Sequence, residues 1–556
     1  MTPLWIASVL ACLLASVAGA RLPDGRAHAN MPPRPIVPVP PAVPEDAVTS
    51  RDGTALPPYN TTYYFDQLID HNDPSKGTFV QRYWHTWEFY EEGGPIILMT
   101  PGEVNADGEW LVSPYRILAD GVPREGYYGY LTNGTINGQI AQQQNGATIV
   151  VEHRFYGYSN PYNNLSVESL QLHTIQQAID DLVYFAYNVD LPMPGGDSVK
   201  PGEAPWVLIG GSYSGALTSW TMVNQPGVFY AGYASSAVVE SIVDYWGYFD
   251  PIRQYMPANC SADVEAVITY IDETFTNGTT DEINSIKELF NMTELTHLDD
   301  FAGALRNNLW DWQSLQPDEG PGQQFFQFCD ALEVKDGVSA GSGGWGVDYA
   351  LNAWGTYWAT TYYPLICGDY DPVTCLGTYD PTQSYYTDIE INDSGRSWEW
   401  IVCNEVGFFQ DGAPEDWPTI VTRLVQPSSD ERQCTYYFPE QFPNGPVTPD
   451  VNATNSAYAG WFANVTNLFF ANGQHFSILS SGMTGDPWRE ATKSADGTNF
   501  ESTSWQPIAE GDGYHCSDLL TENALVDETV AEVQEQALAS MKEWLAGWEP
   551  SSSSRK

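Results

Sequence analysis

The chain has 556 residues, of which 42% are hydrophobic, so it can bury a sizeable core. Lys and Arg number 22 against 71 Asp and Glu, which gives a formal net charge of −49 at pH 7. A surface of that sign repels nucleic acid and anionic membranes, so we expect neither as a partner. The charge suits work in acid, where protonation of carboxylates relieves self-repulsion; an ordinary acidic secreted protein is the alternative interpretation.

The first 20 residues have the pattern of a secretory signal peptide. An apolar run at 4–17 precedes Ala18-Gly19-Ala20, a small-x-small cleavage pattern. No later apolar run approaches the length of a membrane span. We therefore expect a secreted, extracellular protein, with a vacuolar or lysosome-like compartment as the alternative.

The next elements alternate between strand and helix. A leader at 21–57 is rich in proline, which predicts an extended or disordered segment and a candidate propeptide. After it, "TFVQRYWHTWEFY", "GPIILMTPGE" and "NGATIVVEHRFYG" predict strands, and "TIQQAIDDLVYFAYNV" predicts an amphipathic helix. "PWVLIGGSYSGALTSW" reads as strand, sharp turn and helix, and "VFYAGYASSAVV" as a further strand. This alternation predicts a parallel α/β sheet.

The second half of the chain changes character and then returns to the sheet. Helical stretches such as "SADVEAVITYIDETF" predict an inserted cap, "VTNLFFANGQ" resumes the sheet, and "ETVAEVQEQALASMKEWLAGW" predicts a closing helix. We divide the chain into a signal peptide (1–20), the leader (21–57), the first part of the sheet domain (58–239), a mainly helical cap (240–435), the second part of the sheet domain (436–550) and a Ser-rich tail (551–556).

Cysteines and sequons agree with secretion. Eight cysteines become seven once the signal peptide is removed, so disulfides are expected and one thiol stays unpaired. Cys367 and Cys375 flank a short loop and are the easiest local pair. No cysteine spacing resembles a zinc site, and we expect neither metal nor cofactor. Nine Asn-x-Ser/Thr sequons predict N-glycosylation, at Asn60, Asn133, Asn164, Asn259, Asn277, Asn291, Asn392, Asn452 and Asn464.

The strand-to-helix turn carries a candidate nucleophile, Ser212. A serine hydroxyl needs a base and a position clear of its strand, which a tight turn between small residues provides. The small positions here are Gly210 and Ser214, with Gly215 next, so the last glycine of G-x-S-x-G is replaced by serine. The backbone N–H of Tyr213 would be half of an oxyanion hole. Ser214 as nucleophile fits less well, and a plain Gly/Ser turn before a core helix is the structural alternative.

A serine at such a turn needs an acid and then a histidine later in the chain. Three histidines follow: His297 in the predicted cap, His475 at the end of a strand, and His515 in "EGDGYHCSDLL", a Gly-rich loop leading into a helix. We favour His515. For the acid we favour Asp486, which is the first carboxylate after the resumed strand. Asp512 and Asp518 are rivals, but both are too close to His515 in sequence to belong to a separate loop.

Several motifs resemble one known family in the same order. These are "FDQLIDHNDPSKGTFVQRYW", "EHRFYG" at 152–157, "GGSYSG" at 210–215, "GDPW" at 485–488 and "GYHCSDLL" at 513–520. They resemble the lysosomal Pro-Xaa carboxypeptidase family of serine peptidases, which includes prolyl carboxypeptidase, dipeptidyl peptidase II and secreted fungal acid prolyl endoproteases. The resemblance covers nearly the whole mature chain. The sequons, the charge and the Ser-Tyr-Ser-Gly variant favour the fungal endoprotease branch.

The resemblance implies an α/β-hydrolase fold with a helical cap and a triad of Ser212, Asp486 and His515. It also implies cleavage of peptide or protein substrates after proline, at acid pH. The loop at 101–103 is a candidate for the second oxyanion donor. Trp488 is a candidate wall of a proline pocket, or else plain core. Glu103 could pair with a substrate amine, or else be a solvated loop carboxylate.

One departure from the family pattern lies directly before the acid. Twelve residues separate Gly473 from Asp486, where the family has two, so about ten residues at 475–484 are extra. These residues have three alternative interpretations: a tolerated loop, a gene-model error, or an insertion that displaces Asp486. A histidine with an ordinary pKa of ~6.5 would also be protonated at pH 4, so acid activity needs either a lowered pKa or a small neutral fraction.

Rival functions remain open at this level. A lipase or carboxylesterase would share the turn and the triad, and a non-catalytic binding protein could use the 20 tryptophans for sugars. Within the peptidases, an exopeptidase of the same family differs from an endopeptidase in how the cap closes the cleft. A catalytically impaired homologue is the alternative if residues 475–484 displace Asp486. The sequence makes no prediction of oligomeric state.

Overall fold

A computed structural model of the chain describes residues 26, 28–43, 48–108, 126–320, 322–445, 448–473 and 485–551. The predicted signal peptide at 1–20, the extra residues at 475–484 with His475, and the predicted tail after residue 551 lie outside the described residues.

A central sheet forms the core of the fold. Among the described residues it has eight strands, numbered in chain order: β1 Thr62–Leu68, β2 Thr78–Thr86, β3 Ile96–Met99, β4 Ala147–Val151, β5 Trp206–Gly211, β6 Ala231–Ser235, β7 Leu468–Gly473 and β8 Ile508–Gly511. Their spatial order is β1-β2-β4-β3-β5-β6-β7-β8. Strand β2 is antiparallel to both neighbours, and the other pairs are parallel. This is the α/β-hydrolase order, so the predicted fold class is confirmed.

Helices cover both faces of the sheet, which is why its central strands are continuously apolar. Every residue of β3 to β7 is buried. Side chains alternate along a strand, so Ile96 and Leu98 of β3 pack on one face while Ile97 and Met99 pack on the other. Four helices supply these faces, two on each: α2 Ile175–Asn188 with α3 Ser212–Asn224, and α1 Ile136–Gln144 with α4 Glu528–Ala546.

Helices dominate the described chain between β6 and β7. They are Phe249–Tyr255, Ala258–Asn277, Thr280–Leu289, Leu298–Leu305, Asn307–Trp310, Gln324–Glu333, Val347–Tyr357, Tyr363–Cys367, Pro372–Leu376, Ser384–Thr387, Ser394–Ile401, Pro427–Tyr437 and Val451–Tyr458. Short strands Ile242–Asp244 and Gly407–Phe409 pair in parallel, and Val334–Lys335 pairs with Val338–Ser339. Two further short helices, Val167–Leu170 and Asn523–Val526, lie outside this interval. None of the helices in the described ranges is both long and apolar enough for a membrane span.

Disulfides tie this helical region together. The described cysteines form three bonds: Cys260–Cys329, Cys367–Cys375 and Cys403–Cys434. The local pair favoured from the sequence is one of them. Cys516, which directly follows His515, is left as a buried free thiol.

The described part of the proline-rich leader has no helix or strand at 28–43, and it is extended after a turn at 28–31. It is nevertheless well buried: Met31 is 4% exposed, Arg34 6% and Val37 1%. Proline fixes the backbone and lacks an N–H donor, so such a segment is stiff and leaves few backbone donors to satisfy when it is buried. The leader therefore packs against the body of the protein as an extended strap.

Several carboxyl groups are held in surroundings that favour their neutral form. Burial raises the pKa of Asp300 and of Asp518 to about 6 each. Burial likewise raises the pKa of Glu405 to about 7, and burial together with the Asp430 charge raises that of Glu399 to about 8. In an unfolded chain these groups would titrate near pKa ~4.

We predict that the protein is more stable in acid than above neutrality. A carboxyl group whose pKa is higher in the folded than in the unfolded protein stabilises the fold fully at pH values below the unfolded pKa. It loses that contribution as the pH rises to the folded pKa, here between pH ~4 and about 8. Thermal unfolding should give a Tm lower by about 5 °C at pH 8 than at pH 5.

A matched pair of variants tests whether a buried carboxyl group causes the difference in Tm between pH 5 and pH 8. Glu405→Gln should narrow the Tm difference because the amide oxygen can still accept the Ile175 N–H while the charge is absent. Glu92→Gln, at an exposed position, should leave the difference unchanged. A Tm that is equal or higher at pH 8 in the parent protein would contradict the prediction.

Candidate active site

The candidate nucleophile stands on a strained turn between β5 and α3. Strand β5 ends at Gly211 and α3 begins at Ser212, whose φ of 58° lies in the left-handed region. A Cβ on Gly210 would lie 2.0 Å from the carbonyl oxygen of Ser214, so only glycine fits there. The turn is a nucleophile elbow, which lifts a serine hydroxyl clear of the strand.

Ser214 has a structural task at this elbow. Its Oγ donates to the Gly211 carbonyl at 2.8 Å and accepts the Gly211 N–H at 3.1 Å. A Cβ on Gly215 would lie 2.8 Å from the Ser235 carbonyl oxygen, so the close approach that demands glycine falls at 215. Serine at position 214 therefore braces the turn through its side chain, a role that the sequence pattern alone did not suggest.

The structure brings Ser212, His515 and Asp486 into one hydrogen-bonded chain. His515 Nε2 lies 2.7 Å from Ser212 Oγ, and His515 Nδ1 lies 2.9 Å from Asp486 Oδ1. All three are buried, with exposures of 0% for Ser212, 2% for His515 and 0% for Asp486. They follow β5, β8 and β7 respectively, so they meet at the carboxyl edge of the parallel strands.

Asp486 is anchored where the chain rejoins the sheet after residues 475–484. Its backbone N–H donates to the Gly473 carbonyl at 3.3 Å, and Gly473 is the last residue of β7. On the other side, Trp312 Nε1 donates to the Gly485 carbonyl at 2.7 Å. The Trp488 N–H donates to Asp486 Oδ1 at 2.9 Å. The acid therefore stands beside the strand end even though about ten extra residues precede it.

The rival residues have other surroundings. His297 is exposed and stacks on Tyr379, with ring centroids 3.4 Å apart. Asp518 accepts hydrogen bonds from Tyr233 at 2.5 Å and Ser235 at 2.8 Å. The Asp512 backbone N–H donates to Thr529 Oγ1 at 2.6 Å. His297 therefore lies on the surface, and both oxygens of the Asp518 carboxylate are occupied by hydroxyl groups.

Electrostatics at His515 favour its charged form. Burial is the largest single influence on the pKa of His515 and lowers it, but the charge and hydrogen bond of Asp486, together with the neighbouring Cys516, outweigh burial and hold the pKa well above 6.5. Burial raises the pKa of the neighbouring Cys516 thiol, which keeps it neutral. Asp486 thus stabilises an imidazolium at the position where a proton from Ser212 would arrive.

An aromatic cavity lies beside the triad. Trp488 is 1% exposed, its ring centroid is 6.3 Å from that of His515, and its Nε1 donates to Gln313 Oε1 at 2.6 Å. Trp488 also lines a small cavity. The other lining residues are Met31, Pro32, Pro33, Trp398, Glu399, Val402, Phe408, Phe409, Gln410, Asp430 and Gln433. Flat aromatic walls of this kind suit a pyrrolidine ring.

The loop after β3 lies against the elbow. A Cβ on Gly102 would lie 3.3 Å from Cβ of Ser214. Glu103 is 1% exposed, so it is not the solvated carboxylate that was one alternative from the sequence. Its carbonyl accepts a hydrogen bond from Arg34 Nη1. The loop therefore lies where a second oxyanion donor is expected.

Sequence reasoning missed Gln313, Trp398 and Arg34. Gln313 lies in "LWDWQSL" and Trp398 in "GRSWEW", without a motif of their own. Arg34 belongs to the leader, where composition predicted no fixed contacts. The hint that was available is that Arg34 is one of only 22 basic residues in the chain.

We predict that Gly210→Ala destabilises the protein. Its Cβ would collide with the backbone at Ser214, which cannot retreat without moving α3, so the free energy of unfolding should fall by about 1–3 kcal/mol. Gly343→Ala is the matched control, because no atom lies within 4 Å of its Cβ and it should stay within about 0.5 kcal/mol. Urea unfolding of both variants tests this, and equal stability of the two would contradict the elbow geometry.

Comparisons with known proteins find serine peptidases. A family model described as serine carboxypeptidase S28 matches residues 67–310 and 349–535. The serine protease vicPa of Bipolaris victoriae is 34% identical over 503 residues, covering 86% of this chain and 88% of its own. A probable extracellular serine carboxypeptidase of Arthroderma benhamiae is 29% identical over 503 residues, covering 84% of this chain and 64% of its own. The thymus-specific serine protease of Homo sapiens is 23% identical over 499 residues, covering 87% and 86%.

Proposed function

The chain belongs to the serine carboxypeptidase S28 family and is a serine-type peptidase, and on that premise we propose that it cleaves peptides on the carboxyl side of proline. The observation that carries the proposal is the hydrogen-bonded chain from Ser212 through His515 to Asp486. The family supplies the substrate class, which is peptides. The aromatic cavity beside Trp488 supports proline as the recognised residue.

In the proposed mechanism, neutral His515 accepts the Ser212 proton at Nε2 while Oγ attacks the carbonyl carbon of proline. The tetrahedral intermediate collapses as His515 returns that proton to the leaving amine, which breaks the peptide bond and leaves an acyl-enzyme. Water then attacks the ester, giving its proton to His515, and Ser212 recovers a proton as the new carboxyl product leaves. Asp486 holds the ring through Nδ1 and stabilises its cation.

The oxyanion of the intermediate requires nearby donors. We assign one to the backbone N–H of Tyr213, because the first N–H groups of α3 have no intrahelical acceptor. We assign the second to the loop at 101–103, which lies against the elbow. Tyr213 itself is buried, and its hydroxyl lies 3.2 Å from His153 Nε2, which fixes the start of the helix.

We propose an acid working pH, set by two opposing trends. The net charge of −49 and the raised pKa values of buried carboxyls support stability in acid. Glu399, with a pKa of about 8, is neutral there and adds no charge to the cavity wall. The raised pKa of His515 acts in the opposite direction, because it leaves a small neutral fraction of the base in acid.

We also propose that the protein is a secreted glycoprotein. All nine sequon asparagines are exposed or partly exposed, so an attached glycan would meet no core. One relative is named as extracellular, and the three disulfides in the described chain suit an oxidising compartment.

An exopeptidase is the second candidate, because a relative is named as a serine carboxypeptidase. A Pro-Xaa carboxypeptidase requires a free substrate carboxylate, and a dipeptidyl peptidase requires a free amine. A peptide with a blocked N-terminus and a Pro-arylamide end has neither a free amine nor a free carboxylate, so neither exopeptidase would cleave it. Hydrolysis of that substrate supports the endopeptidase, while cleavage restricted to peptides with a free carboxylate supports the carboxypeptidase.

We predict that Ser212→Ala lowers kcat for the blocked Xaa-Pro arylamide by about 10⁴-fold or more, because no other group can form the acyl-enzyme. Ser219→Ala on the same helix is the matched control, since its buried Oγ has no hydrogen bond among the described residues. Ser214→Ala should reduce activity modestly through loss of its brace on Gly211. Activity that survives Ser212→Ala but not Ser214→Ala would assign the nucleophile to Ser214.

The pH profile tests the assignment of His515. Below the His515 pKa, kcat/KM should rise about tenfold per pH unit as the neutral base becomes available. Asp486→Asn removes the charge that raises this pKa, so the rising limb should move to lower pH while kcat falls by about 10³–10⁴-fold. If kcat/KM of Asp486→Asn rises over the same pH range as that of the parent protein, a group other than His515 controls the rate.

A further inference from the structure

We infer that residues 28–37 of the chain occupy the substrate cleft as a built-in inhibitor, a conclusion that rests on the proposed function of the site. This leader precedes the region that the family model matches, which starts at residue 67. Its described contacts fall into three groups. The first lies on the helical region, the second at Gln313 and Glu103 near the triad, and the third at Gly211 and Tyr130.

The first group fixes the start of the segment to the helical region. Asn30 Nδ2 donates to the carbonyls of Asp300 at 2.9 Å and Leu376 at 2.6 Å. The carbonyl of Ala29 accepts a hydrogen bond from Asn307 Nδ2 at 3.0 Å. His28 stacks on a tyrosine ring with centroids 4.3 Å apart. Three hydrogen-bonded carbonyls and a stacked ring make this a specific anchor.

The second group lies at the proposed active centre. The leader carbonyl of Arg34 accepts a hydrogen bond from Gln313 Nε2 at 2.8 Å, and Gln313 Oε1 accepts the indole N–H of Trp488. Arg34 Nη1 donates to the carbonyl of Glu103, in the loop beside the elbow. Gln313 therefore connects a peptide carbonyl of the leader to the residue that follows the triad acid by two positions.

Prolines of the leader reach the aromatic cavity itself. Pro32 and Pro33 line it together with Trp398, Phe408 and Trp488. A segment that places proline beside these walls imitates the substrate that we propose for the site. Extended proline-rich chains lose little conformational freedom on binding, which favours this kind of occupancy.

The third group takes the chain past the nucleophile. A Cβ on Gly211, the residue before Ser212, would lie 2.7 Å from Cγ1 of Val37. Tyr130 Oη donates to the carbonyl of Pro38 at 2.7 Å. The leader thus runs from the helical region, past the aromatic cavity and Gly211, to Tyr130, and the neighbouring Ser212 is 0% exposed. A cleft that holds a continuous chain on both sides of the nucleophile is built for internal peptide bonds, so this course also favours the endopeptidase.

The positive charge of Arg26 and Arg34 also suits the acidic protein against which the leader packs. Arg34 in this segment and Arg26, which lies just before it, are both buried, within a chain that carries 71 acidic residues and 22 Lys and Arg. Arg26 Nη2 donates to Asn307 Oδ1 at 2.8 Å, and its guanidinium lies 4.9 Å from the centroid of the Trp310 ring. The large excess of acidic residues in the chain favours cationic or neutral peptides at the cleft once the leader is removed.

A cut made after folding tests the inference. The exposed turn at 50–54 is replaced by the recognition sequence of a site-specific protease, so that the intact chain folds first. Cutting and dilution should raise kcat/KM for the blocked Xaa-Pro arylamide at least about tenfold, because the leader is no longer tethered at high effective concentration. A protein that hydrolyses the arylamide before the cut and is no more active after it would overturn the inference.

A binding measurement makes the result independent of turnover. A fluorescent peptide of residues 26–43 should bind the cut, diluted Ser212→Ala protein and compete with substrate in the parent. Arg34→Ala in the peptide should weaken binding about tenfold or more through loss of a charge-assisted hydrogen bond. Val39→Ala, at a side chain that is 41% exposed, should change binding less than about twofold.

The experiments distinguish failure of the inhibitory leader from failure of the proposed cleavage after proline. A parent peptide that does not bind the cut protein, or that binds equally well with Arg34→Ala, overturns the inhibitor. A peptide that binds with the expected order of variants, in a protein that hydrolyses no proline substrate before or after cutting, supports cleft occupancy and overturns the proposed specificity.

Discussion

The hydrogen bond between His515 and Asp486 is the interaction on which the account depends. It orients the ring toward Ser212, stabilises the cation that forms there and sets the pH at which the base is neutral. Each of the three residues follows a different strand, so the constellation exists only when β5, β7 and β8 lie in one sheet, with β6 between β5 and β7. The fold therefore acts as the frame that turns three distant sequence positions into one site.

The same carboxylate creates a tension between stability and catalysis. Acid favours the fold, because several buried carboxyls are neutral there, while the base at His515 gains its neutral form as the pH rises. The working range of such an enzyme lies where the two trends cross. A leader that covers the cleft adds a second control, since it would govern access to Ser212 whatever the protonation state of the base.

Short sequence patterns predicted much of the fold and part of the candidate site. The apolar runs of β3 to β7 and the small residues around Ser212 determine structure over short distances, so the α/β class and the elbow followed from the sequence. The choice of Asp486 and His515 followed from chain order and family motifs. The brace by Ser214, the link through Gln313, the burial of Glu103 and the free thiol at Cys516 depend on contacts between distant segments, which composition and spacing do not encode. The course of the leader belongs to the same class, because its prolines predict an extended chain without predicting what that chain touches.

The most direct test of the central claim is to trap the nucleophile with a proline-shaped probe. An N-blocked dipeptide whose proline carries a diphenyl phosphonate in place of its carbonyl is incubated with the cut protein and with Asp486→Asn, followed by peptide mapping by mass spectrometry. The account predicts a single adduct on Ser212 that forms far more slowly in the variant. An adduct on another residue, or none on a folded parent that an alkyl fluorophosphonate does label at Ser212, would contradict a proline-specific triad.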